Sequence, residues 1–203
     1  MSTRLLLATR NTKKLAELQR ILDAALWSGA IVLVGMAEVP EYEEVPETGL
    51  TFTDNALLKA REGAKHTSLP TVADDSGLAV DALNGMPGVF SARWSGGHGD
   101  DASNTNLLLA QIADIGDDHR AASFVCAAAL VLPDGREFTV QGDMRGRLIR
   151  APRGTGGFGY DPIFVSEGET HTSAELNPDD KDAISHRGKA FRALAEVIAT
   201  ELT

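Results

Sequence analysis

The chain has 203 residues, 43% of them hydrophobic and 24% charged, with a formal net charge of −10. Such a length and composition predict a soluble globular protein of one large domain or two intimately packed lobes, and the acidic balance argues against a nucleic-acid polymer as partner, since such proteins carry a basic footprint. A single cysteine, Cys126, excludes a disulfide framework and reads as a buried thiol inside the apolar run Phe124–Leu132.

In chain order, Arg4–Thr9 reads as a buried strand. Its apolar run is too short for a signal h-region or a membrane span, which sets the expectation of a cytoplasmic protein with no membrane partner. Thr12–Trp27 reads as a helix with Leu15, Leu18, Ile21, Leu22 and Leu26 on one face. Ile31–Val34 is a second strand and Tyr42–Glu47 an acidic loop. A helix from Thr51 to about His66 opens with Thr51 and Asp54 in capping-box positions. Thr71–Ala73 is a strand leading into Asp74-Asp75-Ser76-Gly77. Asp81–Gly99 reads as loop-rich, with turns at Asn84-Gly85 and Pro87-Gly88, and Asp101–Ile112 as a helix. Ala121–Leu132 and Glu137–Gly142 form a hairpin about Pro133-Asp134-Gly135. Pro178 starts a short helix, and Ser185–Leu202 is the last, with Phe191, Leu194, Ala195 and Ile198 as its buried stripe. Strands and helices mix without strict alternation, so an α/β protein with a mixed sheet is expected.

Residues 154–162, GTGGFGYDP, contain G-x-G-x-x-G. A dinucleotide loop of that form follows a strand and opens a helix. Here Tyr160-Asp161-Pro162 and then the strand-like Ile163-Phe164-Val165 follow, so the phosphate-loop reading fails. A flexible turn is the plain alternative, but it leaves the two aromatics and the carboxylate among the glycines unexplained.

Four constellations are candidates for chemistry. Thr9-Arg10-Asn11-Thr12-Lys13-Lys14 places three cations at a helix N-terminus, where the helix dipole disfavours them unless an anion intervenes, and where backbone N–H groups suit phosphate. A solvated basic patch with Asn11 or Thr12 as a simple cap is the alternative. Asp74 and Asp75, adjacent at a strand end, point in opposite directions. One of them can hold Mg²⁺ and orient or deprotonate water, with Glu47 as a second ligand; a turn capped by Asp is the alternative. Asn55 and Lys59, four apart on one helix face, suit a phosphate oxygen or simply a solvated face. Lys181 and Ser185-His186-Arg187 put donors at another helix start, with Ser185 as its expected cap. Together these fit a phosphate ester bound with Mg²⁺ and a flat ring stacked nearby.

The stretches LLLATRNTKKLAEL, ETGLTFTDNALLKA, VADDSGLAVDALNGMPGVFSARWSG, GTGGFGYDPIF and ISHRGKA, in that order and spread over nearly the whole chain, resemble the Ham1-type inosine triphosphate pyrophosphatases. Two details depart from the commonest bacterial pattern: Arg10 often is glycine there, and Gly97–Asp100 is variable. The resemblance implies a single domain over residues 1–203, a long central mixed β-sheet flanked by two α/β lobes with the active-site cleft between them, and a homodimer. It implies a nucleoside triphosphate as small-molecule partner, bound by residues 9–14, with Thr9, Asn11 and Lys14 as the matching positions. It implies Asp75 as general base sharing Mg²⁺ with Glu47, Ser76 beside the substrate, and Asn55 and Lys59 along the phosphates. Phe158, Gly159, Tyr160 and Asp161 would form the base pocket, the glycines letting backbone pass close to the base. Lys181, His186 and Arg187 would complete the pocket and read a 6-oxo group. The implied activity is hydrolysis of ITP, dITP or XTP to monophosphate and pyrophosphate. A nucleotide-binding sensor without turnover, or a pyrophosphatase for other modified nucleotides, are the rival readings.

Overall fold

The computed structural model describes residues 3–25, 31–43 and 45–202. Among the described residues, six strands and five α-helices follow one another as β1 (Thr3–Leu7), α1 (Thr12–Ala25), β2 (Ile31–Gly35), α2 (Phe52–Thr67), β3 (Thr71–Val80), α3 (Asp101–Gln111), β4 (Ala121–Val131), β5 (Glu137–Leu148), β6 (Phe164–Ser166), α4 (Pro178–Ile184) and α5 (His186–Leu202). The strands form one sheet in the order β2-β1-β3-β4-β5-β6. β1 pairs parallel with β2 and with β3, while β5 and β6 are antiparallel, so the sheet is mixed as expected. The chain divides into two compact units, Met1–Asp75 with Cys126–Gly142 and Arg187–Thr203, and Ser76–Val125 with Asp143–His186.

In the first unit, Leu5, Leu6 and Leu7 of β1 are almost wholly buried. Leu5 and Leu7 share a core with Ile21 and Leu22 of α1, Cys126, Ala128 and Leu130 of β4, and Phe191, Leu194, Ala195 and Ile198 of α5. The α5 stripe expected from its 3.6-residue period is therefore the buried one. The expected α1 face includes Leu26, which with Trp27 lies outside the described residues. α2 uses a different device. Ala56, Ala60 and Ala64, at four-residue spacing, pack on Ala73, Ala127 and Ala129. Small side chains on both surfaces let helix and strands approach closely. Its start is the expected capping box: Thr51 Oγ1 accepts from the Asp54 amide at 3.1 Å, and the Thr51 amide donates to Asp54 at 3.2 Å.

The second unit packs Leu78 and Val80 of β3, Leu108 of α3, Ile112, Phe124 of β4, Met144 and Leu148 of β5, Tyr160, Ile163 and Phe164 around one core. Two sequence expectations change here. β3 does not stop at Ala73 but runs through both carboxylates to Val80. β5 extends six residues past Gly142 to Leu148, with burial alternating at Gly142, Met144, Gly146 and Leu148; this period of two is a half-buried strand. Asp81–Gly99, expected to be loop-rich with turns, carries 3-10 turns at Asp81–Leu83 and Gly88–Arg93 and positive φ at Asn84, Gly85 and Gly88. The expected strand at Ile163–Val165 is β6, preceded by a 3-10 turn over Asp161–Ile163.

Candidate active site

The turn from β1 into α1 brings the first constellation to the edge of the first unit's core. Asn11 is the cap: its Oδ1 accepts the Lys14 amide at 3.1 Å, and its own amide donates to Thr9 Oγ1 at 3.2 Å. The first turn, with Thr12, Lys13 and Lys14, contains no acid of its own. The anion it calls for comes from elsewhere in the sequence: Lys14 Nζ donates to Asp74 Oδ2 at 3.0 Å. Arg10 reaches instead to the Tyr42 carbonyl, at 3.1 Å.

Strand alternation gives the two carboxylates of β3 different neighbours, as expected. Both are buried, Asp74 to 3% and Asp75 to 6% exposure. Asp74 Oδ2 faces Lys14 and, at 3.6 Å, Arg187 Nε. Burial alone would push its carboxyl up; Lys14, Arg187 and Lys59 outweigh that and hold it well below the usual carboxylate range. Asp75 Oδ2 accepts from Asn55 Nδ2 at 3.0 Å, and its Oδ1 lies 3.8 Å from Lys59 Nζ. Here burial wins. With the negative charge of Glu47 added, it raises the Asp75 carboxyl above the ordinary value, because Lys59 at 3.8 Å and the Asn55 amide offset only part of the desolvation. Lys59 is shifted too: burial opposes its charge, but Asp75, Asp74 and Glu47 together raise it and keep the ammonium protonated. Its shortest contact is to Glu47 Oε1 at 2.6 Å.

Glu47, Asn55, Lys59 and Asp75 therefore converge in the first unit, where Lys14 is tied to Asp74 and Arg10 to the Tyr42 carbonyl. Asp74 was the member that sequence reasoning left in an unspecified structural role. A carboxylate in an apolar strand was itself the signal: burial there requires cationic partners.

The second unit holds the aromatic loop. Tyr160 is 3% exposed and its hydroxyl donates to the Ser91 carbonyl at 2.9 Å. Burial, with the charge of Asp101, raises its phenol. Tyr160 thus anchors the loop from inside the core. Asp161 Oδ2 accepts the Phe158 amide at 2.9 Å and Lys181 Nζ at 2.7 Å. The Lys181 ammonium also stands 5.6 Å from the centre of the Phe158 ring, a cation–π distance. The glycines serve the loop itself more than a ligand. Gly157 has φ +68°, and a Cβ there would fall 2.1 Å from Asp161 Oδ2, while Gly154 lies against the backbone of Ala174. Gly159, at φ +61°, has open space where a Cβ would stand, and it alone fits the close approach expected of the loop. Its amide donates to Asp101 Oδ2 at 2.7 Å. Sequence reading saw Asp101 only as the start of a helix.

His186 is buried and stacks on Phe124, with ring centroids 4.9 Å apart and planes 11° from parallel. Ser185 ends α4 in an extended conformation directly before α5. Ser76 follows Asp75 on β3 and is half-buried.

The Ham1 family model matches residues 5–197. The chain belongs to the Ham1 family. The chain is 62% identical to the dITP/XTP pyrophosphatase of Mycobacteroides abscessus over 96% of this chain and 94% of that one. It is equally identical, 62%, to the dITP/XTP pyrophosphatase of Streptomyces coelicolor over 97% of each. Among solved structures, the fold matches a HAM1 protein of Coxiella burnetii with a TM-score of 0.85 at 42% identity, covering 98% of this chain and 99% of that one. Among the described residues of this Ham1-family chain, no helix is long and apolar enough to cross a membrane.

Proposed function

We propose that this protein is a nucleoside triphosphate pyrophosphatase that hydrolyses dITP, ITP and XTP to the monophosphate and pyrophosphate. The substrate class named for the Mycobacteroides and Streptomyces relatives supports the reading. The observation that carries it on this chain is Asp75: a buried carboxyl with raised proton affinity, aimed by Asn55 and accompanied by Lys59 and Glu47. A carboxylate whose pKa lies nearer neutrality is a better general base. A sensor without turnover needs the cations but has no use for a carboxylate made basic at the expense of its ionised form.

In this reading the triphosphate is served by the first unit, through the α1 start, Lys14, Asn55 and Lys59. Asp75 Oδ takes a proton from the attacking water as the bond between the α- and β-phosphates breaks and pyrophosphate leaves. Glu47 and Asp75 fit a divalent ion. Both already address one cation, the Lys59 ammonium, at 2.6 and 3.8 Å, and hard oxygen donors suit Mg²⁺. Among the described residues no group of three or more His, Cys, Asp or Glu side chains gathers as a metal site. Two carboxylates with water and phosphate oxygens are the usual Mg²⁺ arrangement rather than an all-protein cage. When bound there, Mg²⁺ neutralises charge on the triphosphate.

The base end is served by Phe158 as a stacking surface, worth on the order of 1–3 kcal/mol, and by Lys181, His186 and Arg187. Arg187 is a donor-only group fixed by Asp74, so it pairs with a 6-oxo oxygen and not with an amine. A homodimer is carried forward from family likeness. The test is pyrophosphate release from ITP, dITP, XTP, GTP and ATP, with and without Mg²⁺, plus a panel of modified pyrimidine nucleotides. Fast release from the inosine and xanthosine nucleotides and slow release from ATP is the expected result. Equal efficiency on ATP defeats the carbonyl reading. Binding without pyrophosphate favours the sensor, and preference for modified pyrimidines the other enzyme class.

A further inference from the structure

We infer that Asp101, with Thr105, is the positioning pair that sets the Phe158 surface for the base, an inference that rests on the base-stacking role proposed for that loop. Asp101 and Thr105 are four residues apart on α3, so both look out from one face of the helix. They grip one residue from both sides. The Gly159 amide donates to Asp101 Oδ2 at 2.7 Å, and the Thr105 hydroxyl donates to the Gly159 carbonyl at 3.5 Å. Gly159 directly follows Phe158 and is held at φ +61°. An amide-to-carboxylate hydrogen bond is shorter and stronger than a neutral one; here it fixes the peptide plane from which the Phe158 ring departs.

The peptide plane on the other side of Phe158 is restrained as well. The Phe158 amide donates to Asp161, which also binds Lys181. The loop is thus suspended between two carboxylates, Asp161 within it and Asp101 outside it. The Asp161 contact lies within the loop, three residues on, and moves with it. Asp101 belongs to a helix whose own N-terminus is capped separately, by Asp100 accepting the Ser103 amide at 3.0 Å. Removing the Asp101 side chain therefore leaves the cap of α3 in place. The hydrophobic anchor of the helix, Leu108, lies two turns further on. α3 keeps its fold, and the loop loses its external reference. Both residues belong to the second unit, with the Phe158 loop they hold, so the effect is expected at the base.

The test uses the full-length protein with Asp101→Ala, Asp101→Asn and Thr105→Val, and reads KM and kcat for dITP together with inhibition by inorganic pyrophosphate, which has no base. For Asp101→Ala, KM for dITP rises about tenfold, kcat changes less than twofold, and pyrophosphate inhibition is unchanged. Asp101→Asn, which keeps an acceptor oxygen, recovers most of the loss. Thr105→Val gives a smaller rise of the same kind. An unchanged KM in Asp101→Ala overturns the inference, as does an equal loss of pyrophosphate binding, which marks a general structural defect. The melting temperature of each variant separates unfolding from loop displacement. The underlying base reading fails separately: parent protein that does not distinguish dITP from dATP refutes it whatever Asp101 does, whereas discrimination by the parent together with an unchanged KM for dITP in Asp101→Ala refutes only the positioning role.

Discussion

Replacing Asp74 and Asp75 one at a time by Asn separates two carboxylates that are neighbours in sequence and opposites in physics. Asp74→Asn preserves shape but removes a buried charge that faces Lys14 at 3.0 Å and Arg187 at 3.6 Å. Both cations are then left without their main counter-charge, on side chains only 15% and 6% exposed. Breaking a buried pair from one side costs roughly 3–5 kcal/mol, and at about 2–4 °C per kcal/mol for a chain of this size the melting temperature should fall by on the order of 10 °C at pH 7. The sign with pH follows from the direction of the shift. The Asp74 carboxyl is held below its ordinary range, so its stabilisation is full above that range and is lost as pH falls through it. The difference between parent and Asp74→Asn should therefore be largest near neutrality and shrink in acid. Asp75 is shifted the other way, with burial penalising its ionised form. Its contribution is present at low pH and lost as pH rises through its raised value, so at pH 7 Asp75→Asn should melt no lower than the parent. Lys59 keeps Glu47 as partner at 2.6 Å. Yet Asp75→Asn should lose turnover by orders of magnitude, while retaining nucleotide binding. Thermal melts from pH 3 to 8, paired with pyrophosphate release, check both halves. A pH-independent deficit in Asp74→Asn, or a drop in melting temperature for Asp75→Asn equal to that of Asp74→Asn, would refute the assignment of the two environments.

In metal-free protein the raised Asp75 carboxyl predicts that its side-chain titration, followed by NMR, lies above the ordinary aspartate range, and that Glu47→Gln, by removing a like charge, lowers it; a titration that stays put in the variant contradicts the Glu47 contribution. Gly157→Ala should raise KM for dITP with little change in pyrophosphate inhibition, since the new methyl meets Asp161 Oδ2 and φ is +68°; side chains there are disfavoured by about 1–2 kcal/mol. Arg120 is 2% exposed, and its guanidinium donates to the carbonyls of Ile112, Leu148 and Ile149. Arg120→Met strands those acceptors, and denaturant unfolding should report a loss of ~3 kcal/mol.

Local signals in the sequence carried much of the architecture. The capping box at Thr51 and Asp54, the α5 stripe and the turn at Pro133-Asp134-Gly135 were legible because each is a short-range contact or a helical period visible along the chain itself. The convergence of Asn55 and Lys59 was legible for the same reason, one helix turn. The course of β3 was not. Two adjacent carboxylates read locally as a turn, because a strand can bury them only if cations arrive from remote positions, and Lys14 and Arg187 stand 60 and 113 residues away from Asp74. The outer half of β5 was missed as well, since its alternation of glycine, methionine and leucine with charged residues becomes a strand only where a core takes one face and β6 pairs with it.

What the sequence determined by itself was the inventory: an acidic chain with cations at a helix start, a carboxylate pair and a glycine-aromatic loop. Tertiary structure alone decided which carboxylate became the basic one. Composition cannot distinguish Asp74 from Asp75, because a pKa is set by the balance between lost hydration and the charges brought close, and that balance exists only once distant segments are packed together.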